Sequence, residues 1–94
     1  MLMKLSELIK VSDPEAVALK AQEFELNPMY ESSQAKHKYM VFDGNKMVHF
    51  GSSQYEDWTK HHDVDRRRKF RERNWRWQFA PKYSPAWLSW TLLW

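Results

Sequence analysis

The sequence predicts a small single domain of the α+β class, in which one β-hairpin packs with four to five short helices. A chain of 94 residues without cysteine suffices for one core and excludes a disulfide framework. Two segments rich in β-forming residues flank a predicted turn, and the dipeptides Asp-Pro and Ser-Pro mark helix starts. No run is long and apolar enough for a membrane span, which needs about 20 residues.

The first third of the chain is predicted to be helical. LSELIK forms a short first helix, and Ser12-Asp13-Pro14-Glu15 opens a second one over residues 14–24, with a capping side chain, Pro in the first turn and Glu to close a capping box. Residues 26–36 hold turn-formers without periodicity, which predicts a connector. Residues 1–36 are therefore predicted as an N-terminal helical extension with a connector, and residues 37–94 as the hairpin with two further helical parts.

The hairpin is predicted in the run HKYMVFDGNKMVHFG, residues 37–51, around Asp43-Gly44. Asp-Gly tolerates the positive φ angles of tight hairpin turns. A three-residue loop would place Met47 and His49 on the face of Tyr39 and Val41, whereas a two-residue loop pairs the strands differently. The pattern leaves this register open.

Two helical stretches follow the hairpin. Residues 55–78 are predicted as helix, broken near His61-His62-Asp63, where Asp63 caps a second segment from residue 64 to about 78. Ser84-Pro85 then starts a terminal helix that ends at Trp94. This helix is apolar on nearly every side, so it is buried either in the protein's own core or against a larger assembly.

The charge is concentrated at one end. Residues 66–94 carry eight Lys and Arg against one Glu, while residues 1–65 are acidic on balance. Arg and aromatic side chains together are typical of nucleic-acid binders, because guanidinium groups hold phosphates and rings stack on bases. The alternative is a solvated face whose arginines pair with carboxylates or lie on rings, since the basic residues point nearly all round the helix axis. The candidate contacts are Arg66, Arg67, Arg68, Lys69, Arg71, Arg73 and Arg76.

Catalytic and metal sites are not indicated. His61, His62, Asp63 and Asp65 could be considered as metal ligands, but adjacent histidines point to different helix faces and no second His lies at i+4 spacing. The sequence has no glycine-rich phosphate loop and no nucleophile elbow. We therefore expect no metal, no cofactor and no enzymatic activity.

A set of short motifs runs through the chain from residue 37 onwards. They are Lys38-Tyr39, His49-Phe50-Gly51, Asp57-Trp58-Thr59, His61, Asp63, Arg66-Arg67, Phe70 and Leu92-Leu93-Trp94. In these motifs the region resembles a family of small uncharacterised proteins from large double-stranded DNA viruses and some phages. Asn74 departs from the pattern, which usually has His at that position, so no role of that histidine is carried over.

The resemblance implies a viral origin and a compact domain without a known activity. It also suggests that the charged motif defines the fold, with His61, Asp63, Arg66 and Arg67 bridging the hairpin, the basic helix and the tail. Residues expected to hold the fold together are His61, Asp63, Trp58, Phe70, Trp87, Trp90 and Trp94.

Two functional hypotheses follow. The first is a minor capsid protein, a small virion-associated structural protein that contacts capsid or other virion proteins and resides in the virion and, during assembly, in the host cell interior. The second is a nucleic-acid-binding accessory protein without sequence specificity that uses the Arg-rich helix.

Overall fold

The computed structural model describes residues 5–94 and confirms the predicted α+β class. Short helices surround one antiparallel sheet with the strand order β1-β2-β3. The radius of gyration of 12.3 Å is that of a single compact domain of this length. The first four residues of the predicted N-terminal extension lie outside the described residues.

Two helices of the described part of the chain precede the sheet, as the sequence predicts. Helix α1 covers Leu5–Leu8 and helix α2 covers Pro14–Glu23. The Asp13 carboxylate caps α2 by accepting a hydrogen bond from the Ala16 N–H at 3.2 Å.

The sheet contains one strand that the sequence does not predict. Strand β1, Met29–Glu31, pairs antiparallel with strand β2, His37–Phe42, so the prediction of a bare connector over residues 26–36 is wrong there. Three residues are too few to show an alternating pattern, and β1 is held as a strand only by pairing with β2.

The hairpin joins β2 to strand β3, Met47–Ser52, around the predicted turn. Tyr39 lies opposite Phe50 and Val41 opposite Val48, so these four side chains share the core face. Both predicted loop lengths are therefore wrong. Phe42 pairs with Met47, so the loop is residues 43–46, and a three-residue loop would have placed Met47 and His49 on the core face.

The turn of the hairpin explains this register. The Asp43 N–H donates to the Lys46 carbonyl at 3.0 Å, and the Asp43 carboxylate accepts from the Asn45 and Lys46 N–H groups at 2.7 and 2.8 Å. An Asp side chain that bonds its own following backbone in this way stabilises a turn. Gly44, with φ of 102°, then supplies the left-handed residue that the turn needs.

The predicted break between two helices after the hairpin is confirmed. Helix α3 covers Trp58–His61, His62 adopts the left-handed conformation with φ of 52°, and helix α4 covers Val64–Arg73. Helix α4 is shorter than predicted. The chain continues from α4 as a 3₁₀ helix over Trp75–Phe79 instead of extending to residue 78 as α-helix.

The tail, residues 84–94, begins at the predicted Ser84 cap, whose hydroxyl accepts from the Trp87 N–H at 3.2 Å. Its first turns form helix α5, Pro85–Leu88, and Ser89–Leu93 continue as a π-helical turn. Leu88, Leu92 and Leu93 are buried, while Trp87, Trp90 and Trp94 are partly buried. The tail thus closes the protein's own core.

The core lies between the sheet, α2 and the tail. Both parts of the chain contribute to it, so the segment predicted as an extension is integral to the domain rather than appended to it. The buried apolar side chains are Leu8, Val17, Ala21, Tyr39, Val41, Val48, Phe50, Leu88, Leu92 and Leu93. Within residues 5–94, no helix is long and apolar enough to cross a membrane.

Candidate nucleic-acid interface

Helix α4 is positioned by caps at both ends. The Asp63 carboxylate accepts hydrogen bonds from the Asp65 and Arg66 N–H groups at 3.0 and 3.1 Å, and the Asp63 N–H donates to His61 Nδ1 at 2.8 Å. At the other end the Asn74 side-chain amide donates to the Phe70 carbonyl at 3.1 Å. Asp63, expected from the motif to bridge elements, acts here as a helix cap. These contacts fix where α4 begins and ends.

One side of α4 holds the tail. Arg67 Nε and Arg71 Nη2 both donate to the main-chain oxygen of Trp94, at 2.6 and 2.9 Å. The Arg67 guanidinium lies over the Trp58 ring at 4.5 Å, and that of Arg71 over the Trp90 ring at 4.8 Å. Burial, followed by the charge of Arg67, lowers the pKa of Arg71. Two of the seven candidate contact residues are therefore structural.

His61 belongs to the same packed group. Its ring centroid lies 5.2 Å from that of Trp94 and 6.4 Å from that of Trp58. Because Nδ1 accepts the Asp63 N–H, the neutral ring carries its proton on Nε2, which is buried and has no hydrogen-bond partner among the described residues. Burial is the main cause that lowers the pKa of His61, with the Arg66 charge second and the carboxylate of Asp63 opposing.

A second side of α4 faces solvent and is charge-balanced. Arg68 forms ion pairs with Glu72 at 3.0 Å and with Asp65 at 3.7 Å, all three being exposed. Farther along the chain, Arg76 lies over the Trp75 ring at 5.6 Å. Exposed pairs of this kind contribute little to stability, but they leave Arg68 partly neutralised.

The third side carries unpaired positive charge. Arg66, Lys69 and Arg73 follow the spacing i, i+3, i+7 and so lie in one row along α4. All three are exposed, and their side chains form no ion pair or hydrogen bond with the described residues. We call them the basic row. The arginines do point around the helix, as the sequence indicates, but the other sides are occupied and this row is free.

The basic row borders a cleft of about 660 Å³. Buried Phe50, Ser89 and Leu93 lie at its base. Lys36 adds a further exposed cation to the lining, and Glu56 is the one carboxylate among the described lining residues. The cleft is thus apolar inside and positively charged at its edge.

Aromatic rings form much of the cleft wall. Phe70 stacks on Trp94 with ring centroids 4.2 Å apart and planes at 7°, and its ring meets Trp77 edge-on at 5.6 Å. Tyr55, in the loop after β3, lines the same cleft and is 65% exposed. Rings beside cations offer stacking surfaces for flat anionic ligands such as nucleotides.

A buried polar network lies behind the cleft. Lys38, which is also one of the cleft-lining residues, forms an ion pair with Asp57 at 2.9 Å, and the two side chains are 2% and 1% exposed. Asp57 accepts hydrogen bonds from both the N–H and the hydroxyl of Thr59, while Ser12 accepts one from the Tyr39 hydroxyl at 2.6 Å. Burial lowers the pKa of Lys38 although Asp57 opposes this, and burial also raises the pKa of Tyr39.

The network is completed by contacts between Ser12 and Thr59. Their hydroxyls are 3.2 Å apart, and the Asp13 N–H donates to the Thr59 hydroxyl at 3.0 Å. The first part of the chain, the sheet and α3 are therefore connected through groups that are buried and paired. Such satisfied networks fix one arrangement of the elements, so we assign these motif residues to the fold.

The remaining candidates have structural positions. Trp87 packs against the core and meets Phe24 edge-on at 6.1 Å. Among the described residues, no group of three or more His, Cys, Asp or Glu side chains could hold a metal ion.

Some cleft residues were not among the sequence candidates. Tyr55, Lys36, Glu56 and Trp77 come from separate parts of the chain, and only the fold brings them together. The basic row itself could have been found, because Arg66, Lys69 and Arg73 share their helix face with Phe70 in the sequence spacing.

Comparison with known proteins places the chain in a family but gives no function. No curated protein and no solved structure matches it. A family described as a family of unknown function, DUF5754, matches residues 28–74, which is half of the chain. The match begins just before β1 and includes the hairpin, α3, α4 and Asn74. The chain belongs to the DUF5754 family.

Proposed function

We propose that the protein is an accessory protein that binds nucleic acid without sequence specificity through the cleft beside α4. The observation that carries the proposal is the basic row. Three exposed cations lie in one line and have no partner within residues 5–94, although the same helix pairs its other arginines. Unpaired cations in a row complement the evenly spaced charges of a phosphate backbone.

The absence of sequence specificity follows from the chemistry of the row. Lys and Arg contacts to phosphate oxygens position a nucleic acid but carry no sequence information. Specific reading needs polar groups placed against base edges, usually from a helix or strand in a groove. The cleft-facing side of α4 is flanked by the sheet and the tail, which favours binding of the backbone over insertion into a duplex groove.

The test compares two triple variants with the same change in net charge. The first replaces the basic row, Arg66→Gln, Lys69→Gln and Arg73→Gln. The control replaces three cations that lie outside the cleft and that pair or lie near rings, Arg68→Gln, Arg76→Gln and Lys82→Gln. Binding of a fluorescent oligothymidine is followed by anisotropy over a series of salt concentrations.

The basic-row variant is expected to bind more weakly and to lose salt dependence. On single strands each neutralised phosphate contributes about 0.7 to the slope of log K against log salt, so losing three contacts lowers the slope by about 2. The control variant is expected to keep most of the slope. Equal losses in both variants would mean that net charge, and not this row, determines binding.

We also propose, as a second candidate, the minor capsid role in a virion. It is supported by the sheet face that points away from the core, where Tyr30, Phe42 and Met47 are 54%, 46% and 39% exposed. Exposed apolar patches of this kind are typical of protein–protein contacts. In this role the protein resides in the virion and, during assembly, in the host cell.

The capsid proposal is tested with purified, nuclease-treated particles of the virus that would encode the chain. Retention of the protein on sedimenting particles at both low and high salt supports apolar contacts with capsid proteins. Loss of the protein after nuclease treatment or at high salt instead favours nucleic-acid binding. A protein that never co-sediments with particles contradicts the capsid role.

A further inference from the structure

The cleft has more than a basic edge, and its aromatic content constrains the ligand. Resting on the proposed nucleic-acid binding, we infer that the ligand is single-stranded and that one of its bases enters the cleft and stacks on Trp77 or Tyr55. The phosphates on either side of that base then lie along the basic row.

The first argument is the position of the rings relative to the cations. Trp77 and Tyr55 line the same cleft as Arg66, Lys69 and Arg73. Trp77 is partly exposed and meets Phe70 only edge-on, while Tyr55 is 65% exposed. A stacked base can reach such rings only where it is not paired in a duplex, which is why single-strand binders combine exposed rings with a cationic track.

The second argument is size. The cleft volume of about 660 Å³ lies within the range of small-molecule pockets, roughly 300–1,000 Å³, so a single base with its sugar is of the right scale. The basic row extends from Arg66 to Arg73, seven residue steps along α4, or about 10 Å of helix axis.

The third argument is the charge distribution, which orients the strand. The three row cations lie on the α4 wall, whereas Glu56 belongs to the loop before α3. A phosphate beside Glu56 would be repelled, so the backbone follows α4 and the base turns towards the loop.

The test separates bases from phosphates by using three probes of equal length. These are a fluorescent oligothymidine, an abasic strand with the same phosphates, and a duplex. We expect the oligothymidine to bind about five- to a hundredfold more tightly than the abasic strand, the range that stacking of one base gives. The duplex is expected to bind no better than the abasic strand.

Variants identify the rings. Tyr55→Leu and Trp77→Leu are expected to reduce the preference for oligothymidine over the abasic strand without changing the salt slope. Trp77→Phe keeps a ring and is expected to keep part of the preference. Trp75→Leu is the matched control, because Trp75 is 52% exposed but lies outside the cleft lining. Tyr55→Leu remains informative if a Trp77 variant does not fold, since Tyr55 is so exposed.

The outcomes distinguish this inference from the proposed function. If all three probes bind equally and the basic-row variant weakens all of them, nucleic-acid binding stands and base insertion is wrong. If Trp75→Leu removes the preference as strongly as Tyr55→Leu and Trp77→Leu, the base stacks elsewhere and the inference is also wrong. If no probe binds at low salt, both the inference and the proposed function are wrong.

Discussion

At the residue scale, Gly51 allows the tail to approach the sheet. Its φ is 79°, and a Cβ atom there would lie 2.9 Å from Leu93 Cδ1 and 3.3 Å from Lys38 Cβ. Leu93 and Lys38 are both buried, so neither side chain can move away freely. A residue without a side chain at this point of β3 therefore lets the tail pack over the strand.

We expect Gly51→Ala to lower the free energy of unfolding by about 2–4 kcal/mol, combining left-handed strain with overpacking. Gly44→Ala is the matched control. Gly44 also has a positive φ, of 102°, but a Cβ there would have no neighbour within 4 Å. The control should lose only the strain, about 1–2 kcal/mol. Urea denaturation measures both, and equal losses would contradict the packing explanation.

His61 makes stability depend on pH. Its pKa is lowered in the folded protein, mainly by burial and next by the Arg66 charge, so the unfolded chain binds a proton more readily. The contribution of neutral His61 is complete above the unfolded pKa of about 6.5 and is lost as pH falls from there towards the lower folded value. Stability should therefore decrease on acidification below about pH 6.5.

The variant His61→Asn isolates this effect, because its amide oxygen can still accept the Asp63 N–H but cannot titrate. The loss of stability on mild acidification, measured by thermal unfolding, should be smaller in this variant than in the parent protein. The pKa of His37 is also lowered, by burial, His49 and Lys36, but this histidine is present in both proteins. His62→Asn, at an exposed position, serves as control and should lose as much stability on mild acidification as the parent protein.

At the element scale, sequence patterns located most helix starts but failed at helix ends and at the edge strand of the sheet. Asp13, Asp63 and Ser84 are capping side chains whose signals are local, so the helices begin where predicted. Helix α2 ends at Glu23, and two residues later Glu25 adopts the left-handed conformation, with φ of 56°, where a glycine would be the usual signal. Strand β1 and the end of α4 at Arg73 depend on tertiary contacts, which no local pattern shows.

The sequence predicted which kinds of residue form the candidate site, but it did not predict how they are arranged. The basic helix was identified correctly as α4, but the separation of its arginines into three sides depends on where the tail and the sheet lie. Arg67 and Arg71 are taken by the Trp94 main-chain oxygen, a partner 27 and 23 residues away. Pairing at such distances cannot be read from helical periodicity alone.

The contact of α4 with the tail should account for a measurable part of stability. Arg71→Gln removes a hydrogen bond at 2.9 Å and a guanidinium over the Trp90 ring, and we expect it to lower the free energy of unfolding by about 1–3 kcal/mol. Arg68→Gln makes the same charge change on the same helix but breaks only exposed ion pairs. It should cost less than about 1 kcal/mol, and equal losses in urea denaturation would contradict the difference in roles.

At the scale of the whole molecule, the uneven charge is not removed by internal pairing. Within residues 5–94 the ion pairs of α4 are those of Arg68, and the buried pair of Lys38 with Asp57 lies elsewhere. The basic end therefore keeps an external positive surface, concentrated at the cleft. The basic row is thus accessible to an anionic partner, and this supports the proposed binding role.

The whole domain depends on the buried network around Lys38 and Asp57, because it joins three separate parts of the chain. Lys38→Met leaves the Asp57 charge buried without its partner, so we expect a loss of about 3–5 kcal/mol in the free energy of unfolding. Adding Asp57→Asn to Lys38→Met removes that charge, and the amide oxygen can still accept the Thr59 N–H at the start of α3. The double variant should thus be more stable than Lys38→Met alone.

The control is Lys20→Met, since Lys20 is exposed and its ion pair with Glu23 is long, at 3.8 Å. It should change stability by less than about 1 kcal/mol. Because the network connects the first part of the chain with the sheet and α3, Lys38→Met should also lower the hydrogen-exchange protection of α2 and the sheet together. A loss confined to β2, or a cost as small as that of the control, would mean that the elements hold together without this network.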